Sequence, residues 1–151
     1  MNFIADGMLG GLARWLRLMG YDTLYFNRSK IDELLRVAYR EKRVILTRNR
    51  RFVRSYPDIS VLIESEDVLS QMKEIKQKLS LTLNPEKFFT RCSLCNYILE
   101  KKEKDNVINL VPEYVYTYKN KFSQCPGCRR IYWDGDHCIE IRKVLKSLKE
   151  T

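Results

Sequence analysis

The chain has 151 residues, with 28 lysines and arginines against 19 acids, a formal charge of +9. That length holds one ordinary domain, or two small ones if a metal staples the second. No apolar stretch approaches the ~20 residues of a membrane-crossing helix, and a basic surface favours a polyanionic partner, nucleic acid above all.

In chain order, Phe3-Ile4-Ala5 reads as a short apolar strand ended by Asp6-Gly7. Met8, Leu9, Leu12, Trp15, Leu16 and Met19 then recur at helical spacing, with Arg14 and Arg17 on the other face and Gly20 as the stop. Thr23 to Phe26 is the next strand, and Ser29 offers an N-cap to a helix carrying Ile31, Leu34, Leu35 and Ala38. Val44 to Thr47 and Ser60 to Ile63 are buried-type strands, and Val68, Leu69, Met72, Ile75 and Leu79 mark another amphipathic helix. Strands alternating with helices predict an α/β domain over residues 1–85, a mostly parallel sheet flanked by helices. The densest basic run, Arg36 to Arg54, is opposed only by Glu41. It reads equally as a phosphate-binding surface or a solvated face.

Residues 86–151 read as a second module. Cys92-Ser-Leu-Cys95 and Cys125-Pro-Gly-Cys128 are two Cys-x-x-Cys pairs with 29 residues between them, room for a β-ribbon. Four thiolates fill the shell of one tetrahedral zinc and leave no place for water, so the expected zinc is structural. Two disulfides are the rival, but Met1 to Asp6 carries no basic, apolar leader, and a reducing, cytoplasmic compartment is the expectation. Tyr114, Tyr116, Tyr118, Tyr132 and Trp133 interleave with Lys119, Lys121, Arg129 and Arg130. Such a surface suits single-stranded RNA, and such rings also fill small ribbon cores. Ile141, Val144, Leu145 and Leu148 predict a short closing helix that docks on the sheet domain or on a partner.

In an open α/β sheet the ligand site lies beyond the carboxyl ends of the strands. Those ends carry Asp6, then Thr47-Arg48-Asn49, then Glu64 to Asp67. Oxygen ligands there suit Mg²⁺ or Mn²⁺ and metal-assisted attack of water on a phosphodiester. Asp6 equally suits a helix cap, and Glu64 and Asp67 suit caps better than ligands. Arg48 adjoins the rim and suits phosphate contact, with Arg14, Arg17, Arg50 and Arg51 as further candidates for RNA.

The run from Asp6 to Asp22, the strand Val44 to Arg50, and the four cysteines followed by Ile131 to His137 resemble the mut-7 C-terminal RNase domain family, a PIN-like fold with a C-terminal zinc ribbon. The resemblance covers nearly the whole chain, with its motifs in order. It implies Mg²⁺- or Mn²⁺-dependent RNA cleavage and a structural zinc. It places Asp6 as the first metal-binding carboxylate and Asp32 at the acid position opening the second helix. A register one residue different puts Ile31 there, and Asp32 also suits the helix dipole and a capping box with Ser29. Asn49 stands where the family has an aspartate, which removes one charge from the site. The alternative is therefore a non-catalytic RNA-binding or ribosome-associated protein on the same fold; homo-oligomer association is a further expectation.

Overall fold

The computed structural model describes residues 1–27 and 30–150; the Ser29 cap expected from the sequence lies outside them. The chain builds β1 (Phe3–Asp6), α1 (Gly10–Leu18), β2 (Thr23–Phe26), α2 (Ile31–Glu41), β3 (Val44–Thr47), α3 (Arg50–Ser55), β4 (Ser60–Leu62) and α4 (Val68–Leu79). The four strands are all parallel, in the order β2-β1-β3-β4. Each short strand alternates its side chains between two buried faces. Phe3, Ala5 and Leu46 enter one core with Leu12, Leu16 and Met72 of α1 and α4. Ile4 and Ile45 enter the opposite core with Leu34 and Ala38 of α2 and Phe52 of α3.

The single-turn-and-a-half α3 was not foreseen from the sequence. Its cap is Asn49, whose side chain accepts from the Phe52 amide, and Phe52 anchors it to the second core. Asp67 caps α4 in the same way through the Ser70 amide, as its position after a strand suggested. Gly11 permits the close crossing of α1 and α4, since a Cβ there would lie 2.7 Å from Val68 Cγ2. Gly20, with φ +93°, turns the chain out of α1 against the Lys87 carbonyl.

The later residues form β5 (Glu100–Lys102), α5 (Glu113–Tyr118), β6 (Phe122–Gln124), β7 (Ile131–Trp133) and α6 (Asp136–Lys149). The strands make an antiparallel ribbon in the order β5-β6-β7. Its own core is small, built on Val107, Val115 and Phe122 with Tyr116 and Trp133 against them. The apolar stripe of α6 leaves the ribbon: Ile141, Leu145 and Leu148 join the core of β1, α1 and α4. The docking place left open by the sequence is thus the sheet domain. Among the described residues no helix is long and apolar enough to cross a membrane.

Candidate active-site rim and metal centre

Asp6 ends the central strand β1 at the carboxyl rim of the sheet. Registry pairs Ala5 with Leu46, so Asp6 and Thr47 emerge side by side. The Thr47 hydroxyl donates to Asp6 Oδ2 at 3.0 Å and accepts from the Asn49 amide at 3.1 Å. Asp6 Oδ1 accepts from the Gly7 amide at 2.7 Å. Tyr25 on the neighbouring strand holds this turn by donating to the Gly7 carbonyl at 2.6 Å. One threonine hydroxyl therefore links Asp6 and Asn49, two of the three ligands expected from the sequence. Asp32 lies exposed in the first turn of α2, beyond β2.

A carboxylate offers about four lone-pair sites, and Asp6 commits two of them to these donors. Its half-buried position leaves the rest toward the rim. Asn49 Oδ1 is occupied by the Phe52 amide at 3.1 Å, with one lone pair over. Hard oxygen donors of this kind fit Mg²⁺ or Mn²⁺ with retained water, supplying one carboxylate rather than a full acidic cage. Among the described residues, the one group of three or more histidine, cysteine or acidic side chains gathered for a metal is elsewhere, at the cysteines.

Cys92, Cys95, Cys125 and Cys128 bring their sulfurs within 4.8 Å of one another. Cys92 and Cys128 are 3.8 Å apart. A tetrahedron with metal–sulfur bonds of about 2.3 Å has edges of about 3.8 Å, so the set fits one ion and is consistent with structural zinc. Amides of Cys95, Gly127 and Cys128 point at the sulfurs of Cys92 and Cys125 at 3.3–3.4 Å, the polarity a thiolate needs. The Tyr132 hydroxyl lies 3.0 Å from Cys92 Sγ. Burial and the neighbouring Cys92 push the Tyr132 phenol up, which keeps it a donor. Burial opposes ionisation of Cys92, but Tyr132 and the Cys95 and Leu94 amides outweigh it and bring the thiol to about 7. Burial and adjacent thiols push Cys95 up to about 12. Loading the site must therefore release protons.

A family model, the Mut7-C RNAse domain, matches residues 1–145. The chain belongs to that family. Comparison with curated proteins and with solved structures gave no match. Membership in the Mut7-C RNAse domain family supports a ribonuclease-like function at the family level, with RNA as the substrate class.

The basic face that spacing predicts for the first helix needs one correction. Arg14 is exposed as expected, but Arg17 is only 8% exposed and is not on a solvated face. Its Nε donates to the Thr23 carbonyl at 2.8 Å, and its Nη1 donates to the Ser93 and Leu94 carbonyls at 3.1 Å. With those bonds made, its guanidinium is closed to RNA. Burial lowers its pKa, and the nearby Cys92 and Cys95 oppose that fall. Four thiolates around a divalent ion carry two net negative charges, and Arg17 is their buried counter-charge.

The first cysteine knuckle is locked to the sheet by neighbours of Arg17. Asn96, held at φ 70°, accepts from the Thr23 amide at 2.9 Å and donates to Asp22 Oδ1 at 2.7 Å. Arg43 reaches the same Asp22 oxygen at 2.7 Å and also pairs with Glu41. Burial opposes ionisation of Asp22, but Arg43 and Asn96 prevail and hold its carboxyl below the usual range. The links from Arg17, Asp22 and Thr23 to the first knuckle were not visible in the sequence, because those partners lie more than 70 residues apart. The only trace was an asparagine directly after a knuckle, a residue type that tolerates the left-handed region.

At the rim, Arg48 donates to the Glu64 carbonyl at 3.3 Å, and Arg50 pairs with the Glu64 carboxylate at 2.9 Å. Arg51 is exposed. Glu74 fixes the loop behind them by accepting from the Glu64 and Ser65 amides and pairing with Lys78. Burial opposes its ionisation, yet Lys78 and those amides bring its carboxyl down to about 2.

Proposed function

We propose that the protein is a divalent-metal-dependent ribonuclease that hydrolyses RNA phosphodiester bonds at the Asp6 rim, with a zinc ion holding its ribbon. The observation that carries this reading is the Asp6–Thr47–Asn49 linkage at the carboxyl edge of two adjacent parallel strands. A bound Mg²⁺ or Mn²⁺ would supply activated water and charge neutralisation. Thr47 holds the Asp6 carboxylate in one orientation and keeps it an acceptor. Asp32 would serve as an accessory carboxylate, and Asn49 would supply an amide oxygen. Arg48, Arg50 and Arg51, with Arg14 across the turn, position the RNA backbone by charge.

The test is cleavage of single-stranded and structured RNA by the purified protein with Mn²⁺. Asp6→Ala should lower the rate by roughly 100-fold or more, the scale of losing one preorganised charge-stabilising group. Asn49→Asp should tighten Mn²⁺ binding and speed cutting while still capping α3. If wild-type protein and Asn49→Asp both leave RNA intact, the nuclease reading fails.

One observation favours a second reading, an RNA-binding protein without catalysis. Asn49 spends its side-chain oxygen on the α3 cap and adds no charge to Asp6. Salt-sensitive RNA binding without cutting, together with cutting acquired in Asn49→Asp, would select this alternative.

A further inference from the structure

The cationic side of α6 serves neither the rim nor the metal centre. Arg142, Lys146 and Lys149 are exposed at i, i+4 and i+7, spanning about 10 Å of helix. Beside them lies a cavity of about 320 Å³ floored by Leu83, Pro85, Phe88 and Leu145. A second cavity of about 180 Å³ opens between Phe89, Tyr132 and Lys121. Arg142 lines both, so the two form one groove with this side chain at the divide.

The divide is built. The Arg142 guanidinium sits 4.7 Å from the centroid of the Phe89 ring, yet its side chain remains 47% exposed. Phe89 is held at φ 61°, a conformation that a bulky aromatic residue rarely adopts. Its amide donates to the Leu18 carbonyl at 2.9 Å, which fixes the backbone that carries the ring. A strained residue persists where its surroundings over-determine it, and such residues gather at binding sites. The acid on this groove is Asp134, 3.8 Å from Arg142.

We propose that this groove binds a stretch of single-stranded RNA, with the Arg142–Phe89 stack as a platform for a base and Lys121, Lys146 and Lys149 on phosphates. Apolar floors flanked by cations suit base faces joined by a charged backbone, and guanidinium planes stack on bases. An acidic peptide would use the cations but leave the apolar floors uncovered. The inference rests on the RNA reading given above and adds a contact remote from the reacting bond. Leu18, beside the second cavity, ends α1, whereas Asp6 precedes its start, and nine helical residues rise about 13 Å. The groove therefore grips nucleotides away from the one being cut.

The experiment measures binding of full-length, zinc-loaded protein to single-stranded oligouridylate and oligoadenylate across a salt series. Lys146→Gln with Lys149→Gln should lower the slope of log Kd against log salt by about 1.4, since each phosphate contact on a single strand contributes about 0.7. Arg142→Gln should weaken single-strand binding about tenfold and duplex binding less. Both changes should raise the KM for single-stranded RNA, and unchanged thermal midpoints would confirm folding. The control pair Lys42→Gln with Lys73→Gln removes equal charge outside the groove and should leave the Arg142-dependent preference for single strands intact. Unaltered binding by the groove variants overturns the proposal, as does an equal loss in the control pair. So does an acidic peptide whose binding depends on Arg142 when RNA binding does not. Loss of cutting in Asp6→Ala with the salt slope retained separates the two sites: absence of any cutting removes the nuclease reading alone, and an insensitive slope removes the groove alone.

Discussion

At the amino-terminal ends of β1 and β2, Arg17, Asp22, Arg43 and Asn96 satisfy one another and the carbonyls of the first knuckle. At the carboxyl ends, Asp6 has among the described residues a single side-chain partner, Thr47, and is only half-buried. One end is closed in the way a structural joint must be, since a buried charge left unpaired is costly. The other keeps unused lone pairs, as a site must when its ligand arrives from solution. Among the described residues no buried side-chain nitrogen or oxygen lacks a partner. Spare capacity is therefore confined to the surface.

The sharpest way to break the closed end is to take away its metal. Chelation should forfeit a contribution of roughly 10–16 kcal/mol typical of structural zinc. Hydrogen exchange should then rise through residues 91–133 and also in β2 and the end of α1, because Arg17 and Thr23 lose partners. Protection unchanged in β2 would show that the joint is weaker than its geometry implies. Next in size, Arg17→Leu strands two buried carbonyls, of Thr23 and Ser93, and the half-buried carbonyl of Leu94, and should cost about 3 kcal/mol in urea denaturation. It should also weaken zinc binding by 10-fold or more, the usual penalty for losing an outer partner of a metal site.

Smaller effects probe the open end. Thr47→Val should cost about 1 kcal/mol and release Asp6, lowering cleavage more than stability. Glu74 gives the acid limb. Its folded-state pKa lies near 2, below its ordinary value of 4.5, so its contribution is present above that ordinary value and is lost as pH falls toward 2. Glu74→Gln should flatten stability against pH over that interval, measured by thermal midpoints. An identical slope in the variant would assign the acid limb to the other carboxyls held low, Asp22, Glu41 and Asp67.

The sheet was legible because its strands announce themselves: Thr23 to Phe26 and Val44 to Thr47 have the predicted bounds. The four cysteines were equally plain, since spacing alone brings two knuckles to one ion. Asp6 and Asn49 were placed at the rim by the strand-end rule and by resemblance, but the threonine joining them was not foreseen. Arg17 was misplaced because a helical wheel records spacing and says nothing of what packs against it. Two of its three partners come from the first knuckle, and all three are main-chain carbonyls, which every residue carries. For the same reason the Arg142–Phe89 stack left no pattern along the chain.

Because Leu145 and Leu148 complete the core that Phe3 begins, that core is unfinished until α6 has been made. A nascent chain of about 85 residues would hold this core without Ile141, Leu145 and Leu148, which complete it. Assembly is thus ordered by synthesis: the ribbon is made before α6 is delivered to its berth. A ribosome-released fragment ending before Asp136 should accumulate in aggregates, and adding the missing helix as a peptide should recover part of it in solution.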